Sequence, residues 1–242
     1  MEIYNVGFLG STLSAGGGWD YDHDFSTDDG LWSFNDPSST NQVDTSAGLL
    51  RTDTTTSNTG GINRACSGDI MGGTVSDTAW VVQIDSLNYT TKNNYCNNHF
   101  SMSASDYSMP SYQAASPSGF QPADLIYFLI YHSTTDRSRL GYSAGGSDGD
   151  GDMVCSTDTF STSTNYYLQS IRTSATSVTY QWGANSDFTS PTVDIANTVI
   201  PSTIGGLRYL KLGNLVYTGF SEGAMVGSIT AARFADGVTT PP

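Results

Sequence analysis

The stretch that decides the fold is Gly206-Leu-Arg-Tyr-Leu-Lys-Leu-Gly-Asn214, followed across a glycine-flanked turn at Ser221-Glu-Gly223 by Met225-Val-Gly-Ser-Ile-Thr-Ala-Ala-Arg-Phe-Ala-Asp-Gly237. It reads as a strand of the form L-x-x-L-x-L-G, a turn, and a closing strand of the form G-S-I-x-x-x-R-F-x-D-G. In the closing strand Ile229 and Phe234 lie on opposite parities. Either both faces of that strand are covered, or a β-bulge near Ala231 and Ala232 shifts its register.

Working outward, the same period of two recurs. Val178, Tyr180 and Trp182 alternate with Thr179 and Gln181, and Trp80, Val82 and Ile84 alternate with Val81, Gln83 and Asp85. Each pattern predicts a strand with one apolar face and one partly polar face. Leu125-Ile-Tyr-Phe-Leu-Ile-Tyr131 is apolar on both parities, which predicts a strand covered on both sides and central in its sheet. Aromatic residues make up 12% of the 242 residues and glycine contributes 26, with Ser, Thr and Asn crowded between the apolar runs. Many short strands joined by turns have this composition, and long helical periodicity is absent. The segments 89–98 and 103–122 are rich in Asn, Ser, Pro and Tyr and read as long excursions from the strands.

These residues resemble the concanavalin A-like jelly rolls, and the laminin-G-like group in particular. The ending Gly206–Gly237 matches that group's last strands. Asn165-Tyr-Tyr-Leu-Gln-Ser-Ile-Arg172, Ser177-Val-Thr-Tyr-Gln-Trp182 and Asp187-Phe-Thr189 look like its central hairpin. Trp19-Asp-Tyr-Asp-His-Asp-Phe25, Leu31-Trp32 and Gly48-Leu-Leu-Arg51 resemble its opening strands. The resemblance implies an all-β fold, a jelly-roll β-sandwich of two antiparallel sheets. The expected organisation is an N-terminal arm or linker over 1–18, one laminin-G-like domain over 19–237, and a C-terminal tail over 238–242.

Charge narrows the partners. Twenty-three acidic side chains face nine basic ones, for a net charge of -14, and only Glu2 and Glu222 are glutamates. Such a surface repels nucleic acid phosphate. No transmembrane span is present, and no signal peptide is read before Ser11. Cys66, Cys96 and Cys155 are odd in number and lack a CxxC spacing, which leaves one intrachain disulfide or three small buried thiols.

Several chemistries are tested by residue type and spacing. Gly141-Tyr-Ser-Ala-Gly145 matches the nucleophile elbow of hydrolases, but that motif needs a strand-to-helix turn and a later histidine. His23, His99 and His132 all precede Ser143, and the following Gly146-Ser-Asp-Gly-Asp-Gly-Asp152 is no helix. Glycoside hydrolysis needs two carboxyls flanking the bond. The resemblance brings in laminarinase-like enzymes with Glu-x-Asp-x-x-Glu, a motif this chain lacks. Calcium fits better. Asp148, Asp150 and Asp152 alternate in a glycine loop, without the Gly and Glu that complete an EF-hand. Asp20, Asp22 and Asp24 form a second triplet that in a strand would share one face, and the resemblance implies calcium on the sandwich rim. Carbohydrate recognition needs aromatic faces and hydroxyl-bonding amides. The loop candidates are Tyr89, Asn93, Asn94, Tyr95, Asn97, Asn98, Tyr107 and Tyr112.

The reading that follows is a non-enzymatic structural protein of a viral or phage particle, a capsid decoration or fibre-type protein at the virion surface or outside the cell. Its expected partners are copies of itself, other virion proteins and cell-surface glycans, without nucleic acid or membrane insertion. The arm 1–18 would clamp a neighbouring subunit by strand addition. The alternative is a calcium-dependent, lectin-like adhesion module. A divergent polysaccharide hydrolase or lyase is the third reading.

Overall fold

The computed structural model describes residues 18–35, 42–51, 64–70, 72–92, 96–105, 124–132, 136–144, 147–158, 160–216 and 225–242. Among them the chain forms sixteen strands and no helix. In chain order these are β1 (Tyr21–His23), β2 (Trp32–Asn35), β3 (Gln42–Asp44), β4 (Leu49–Arg51), β5 (Arg64–Gly68), β6 (Trp80–Lys92), β7 (Cys96–Ser103) and β8 (Leu125–His132). They continue with β9 (Asp136–Ala144), β10 (Ser147–Asp158), β11 (Tyr166–Ser174), β12 (Ser177–Gly183), β13 (Val193–Val199), β14 (Tyr209–Val216), β15 (Met225–Ile229) and β16 (Ala231–Asp236).

The strands build two antiparallel sheets. One has the order β13-β12-β11-β6, after which the long β6 is paired by two strands in turn. Its first half, Trp80–Asp85, takes β16, which carries β1, and its second half takes β15, which carries β4 and β3. The second sheet has the order β10-β9-β8-β7-β14-β5-β2. Strand β8 is interior, and Leu125, Ile126, Tyr127 and Phe128 are all buried, as its two-parity pattern predicts.

The closing segment resolves its own ambiguity. No register shift falls at Ala231 or Ala232. Both parities are covered, since Ala231 and Ala235 are buried on one side and Ala232 and Phe234 on the other. The interruption lies at Thr230, whose N–H donates to Asp85 O at 3.0 Å. Beside it on β6 stands Ser86 with φ 51°, a left-handed conformation that breaks the pleat.

The core lies between the sheets and is closed by aromatic rings, of which Trp182, Trp32 and Tyr21 have hydrogen-bonded polar atoms while Trp80 Nε1 and Tyr180 Oη are buried without a partner. Trp182 is fully buried and donates its indole N–H to Ser138 Oγ of the opposite sheet at 2.7 Å. Phe160, Tyr166 and Trp182 pack with centroids 4.1 to 5.6 Å apart, and Phe128 stacks on Tyr180 at 4.7 Å. At the other end Trp32 Nε1 donates to Tyr21 Oη at 2.9 Å, and Tyr21 donates onward to Asp29 Oδ2 at 3.0 Å. Burial pushes the Tyr21 phenol well above its ordinary range, so it stays a neutral donor. The void bounded by Val82, Ile84, Phe100, Met102 and Tyr180 measures about 20 Å³, room for one water and no larger ligand.

Two local expectations are corrected, and the cysteine alternatives are narrowed. Most of 89–98 is strand, because β6 runs on to Lys92 against β15 and β7 begins at Cys96. The glycine loop around Asp148 is strand β10, and Asp150 and Asp152 fall in a bulge between Gly149 and Met153 where the register on β9 shifts. Pairing with β9 overrides the low strand propensity of Gly and Asp. The cysteines lie on β5, β7 and β10 of one sheet. Each pair is separated by at least two strand spacings, roughly 10 Å. That exceeds the roughly 7 Å that a disulfide spans between Cα atoms.

Candidate functional site

The outer face of the first sheet carries a row of polar side chains in direct register. Asp22 on β1 pairs with Arg233 on β16, Arg233 with Gln83 on β6, Gln83 with Gln169 on β11, Gln169 with Gln181 on β12, and Gln181 with Asp194 on β13. Directly opposed residues share a face, so all six stand on one side of the sheet. Six neighbouring strands at 4.7–4.9 Å give a row about 24 Å long.

The three glutamines form a polarised chain. Gln83 Nε2 donates to Gln169 Oε1 at 2.5 Å, Gln169 Nε2 to Gln181 Oε1 at 3.1 Å, and Gln181 Nε2 to Asp194 Oδ1 at 3.1 Å. Each amide still has a second N–H and a second lone pair for a ligand. Gln83 and Gln169 are buried, at 8% and 5% exposure, so the chain holds its geometry without ligand. At the other end Arg233 donates from Nε to Asp22 Oδ1 at 2.9 Å and from Nη1 to Asp85 Oδ2. Burial alone lowers its basicity, but the Asp85 and Asp22 contacts outweigh that and raise it, so the group is a neutralised cation.

A cleft of about 410 Å³ stands over this row, lined by Trp19, Gln83, Gln169, Gln181, Ser186, Asp187, Phe188, Pro241 and Pro242. That volume is in the range of small-ligand sites. The 184–192 loop forms one wall. Gly183 allows its return, because a Cβ there would meet Thr192 N at 3.1 Å and Pro191 Cα at 3.2 Å. Asp187 Oδ1 caps the loop, accepting from Thr189 N at 3.1 Å and Thr189 Oγ1 at 3.0 Å. These bonds, the backbone one first, hold the Asp187 carboxyl below the usual range, so it is ionised at neutral pH. Phe188, half-buried with φ 51°, follows it in the wall.

Trp19 forms another wall and is placed by its neighbour. Asp20 N donates to Phe234 O at 2.9 Å, and Asp20 Oδ2 accepts from Asp236 N at 2.7 Å. Asp236 Oδ1 in turn accepts from Ser76 N at 2.8 Å. Among the described residues the cleft thus combines two aromatic side chains, three amides, a hydroxyl and one side-chain carboxylate, a set suited to hydroxyl-rich ligands.

This is not where sequence reading looked. Asp20, Asp22 and Asp24 do not converge: Asp20 clasps Asp236, Asp22 pairs with Arg233, and Asp24 Oδ1 accepts from Ser26 N at 3.0 Å and Ser26 Oγ at 2.7 Å. Only Asp22 lies within β1, so the alternation expected of a longer strand does not apply. Among the described residues no three His, Cys, Asp or Glu side chains are grouped to hold a metal ion. Asp148, Asp150 and Asp152 lie on β10. Tyr89 is 1% exposed, with its ring at 5.6 Å from Phe160, so it has no face for a sugar. Asn97 and Asn98 lie on β7, while Asn93, Asn94, Tyr95, Tyr107 and Tyr112 fall outside the described residues. The nucleophile-elbow serine, Ser143, is fully buried within β9. Gln83 and Gln181 were visible as polar members of alternating strands, but nothing local marks them as neighbours of Gln169.

No protein-family model matches the sequence, and no curated protein matches it. Solved structures do match in shape. The lectin UEA-II complexed with galactose superposes with a TM-score of 0.57 at 11% identity, over 89% of this chain and 97% of that one. The VIP36 exoplasmic/lumenal domain in its Ca2+/Man3GlcNAc-bound form gives 0.61 at 9% identity, over 88% and 86%. The fold is a concanavalin A-like jelly roll. Bacillus licheniformis β-glucanase is also similar to this jelly roll, with a TM-score of 0.55 at 12% identity over 91% and 99% of the two chains. The neighbours therefore include both lectins and a glycan-cleaving enzyme, and at these identities the likeness is one of fold.

Proposed function

We propose that this jelly roll is a non-catalytic carbohydrate-binding module whose site is the cleft above the glutamine row. The observation that carries the reading is the pre-organised chain Gln83–Gln169–Gln181–Asp194 beneath Trp19 and Phe188. Aromatic faces take the apolar faces of sugar rings, and fixed amides exchange hydrogen bonds with ring hydroxyls. Support also comes from the fold, which is similar to a lectin complexed with galactose and to a domain bound to Man3GlcNAc.

The non-catalytic part rests on the lining. Acid–base cleavage of a glycosidic bond uses two carboxyls, and amides move no protons at neutral pH. Among the described residues the cleft lining contains one carboxylate side chain, Asp187. Calcium belongs to the lectin-like variant of the reading, through Asp148, Asp150 and Asp152. The amide row itself needs no metal, so binding in the cleft is expected to survive a chelator. The acidic, lysine-poor composition supports a place at a virion surface or outside the cell. Self-association through the arm 1–18 rests on residues of which only Gly18 is described.

The test is a polysaccharide panel followed by calorimetry on the best oligosaccharide, with and without EDTA. Trp19→Ala and Gln169→Leu should each weaken binding about tenfold, the equivalent of 1.4 kcal/mol, with little change in melting temperature for Trp19→Ala. Unaltered affinity in both variants would move the site elsewhere.

A further inference from the structure

Resting on that reading, we infer that the cleft selects uncharged glycans and rejects those carrying uronate or sulfate. The argument comes from where the charges around the row sit. Asp187 is in the lining, Asp194 ends the amide chain one strand from Gln181, and Asp22 and Asp85 flank the single guanidinium of Arg233. Among the described residues four carboxylates and one cation thus lie along or beside the row, and that cation is already bonded to two of the carboxylates. An anionic sugar laid across Gln83, Gln169 and Gln181 meets no unpaired positive group among the described lining residues.

Asp187, Asp194 and Asp85 lie within about a Debye length, roughly 8 Å at physiological salt, of a ligand seated on the neighbouring amides. The net charge of -14 adds a long-range term of the same sign. A neutral sugar avoids both, and its hydroxyls can donate to Asp187, whose Oδ1 is shared with Thr189. The preference therefore depends on Asp22 and Asp85 as positioning residues: they hold Arg233 and mask its charge, although neither lines the cleft. Removing their charges while keeping their shape exposes a cation two strands from the centre of the row.

The experiment compares the best neutral oligosaccharide with its C6-oxidised uronate form by calorimetry, at about 20 mM and about 500 mM salt. The uronate form should bind at least tenfold more weakly at low salt, and the ratio should narrow at high salt as screening removes the repulsion. The Asp22→Asn/Asp85→Asn double variant should bring the ratio toward one by strengthening uronate binding. Equal affinities in the wild-type protein at low salt, or a ratio that does not respond to salt, would overturn the selectivity. Should the double variant fail to fold, the wild-type salt series decides alone. If no neutral oligosaccharide binds at all, the glycan reading itself falls, an outcome distinct from loss of selectivity.

Discussion

Gly227 and Gly141 show how single residues here are dictated by a ring on the neighbouring strand. A Cβ on Gly227 would fall on the Tyr89 ring, and one on Gly141 would fall on the Tyr127 ring. Gly141 therefore begins a hydrolase-like motif for a packing reason, while Ser143 of that motif is sealed inside β9. Gly227→Ala should destabilise the protein by about 1–3 kcal/mol, the usual range for overpacking a filled site. Urea unfolding checks this, and an unchanged midpoint would mean that Tyr89 has room to move. The residue types needed for sugar binding were legible in the sequence, but their owners were not. Tyr89 had the right chemistry and is enclosed by the core, whereas Trp19 and Phe188 stand in a cleft that no local pattern announces.

Elements show where local preference holds and where it gives way. The turn between β3 and β4 follows its local chemistry. Asp44 accepts from Ser46 Oγ at 2.7 Å, from Ala47 N at 3.1 Å and from Arg51 Nη2 at 2.6 Å. The Ser46 hydroxyl first, and then Arg51, bring the Asp44 carboxyl down to about 2. Its folded pKa lies below the unfolded value of about 3.9. The ionised carboxylate therefore contributes stability at pH 5 and above, and that contribution is lost as the pH falls from about 4 toward 2. Asp44→Asn should melt lower than the wild-type protein at pH 6, with the two curves converging near pH 2. A gap that persists at pH 2 would assign the effect to something other than the charge. Strand β10 behaves in the opposite way, since its Gly- and Asp-rich sequence predicts a loop and its pairing with β9 makes it a strand.

For the whole molecule, the joint between the sheets is the feature to test. Trp182 reaches across the core to Ser138, and both are fully buried. Trp182→Phe keeps an aromatic ring but strands the Ser138 hydroxyl, which should cost about 1–3 kcal/mol from the unsatisfied group, with any cavity adding to it. Thermal unfolding measures this, and a loss below about 0.5 kcal/mol would mean that Ser138 finds another partner. The sequence by itself determined that the chain is all-β and that β8 is covered on both faces, because the period of two, or apolar residues on both parities, is written in adjacent residues. The tertiary structure alone decided which strands are neighbours and in what register. Asp22, Arg233, Gln83, Gln169, Gln181 and Asp194 form one row only because six strands from distant parts of the chain pair without a slip at those positions. A slip of one residue on any strand would turn its polar side chain into the core. Register is set by burial on the opposite face and by pairing across the sheet, and neither is a property of any local stretch.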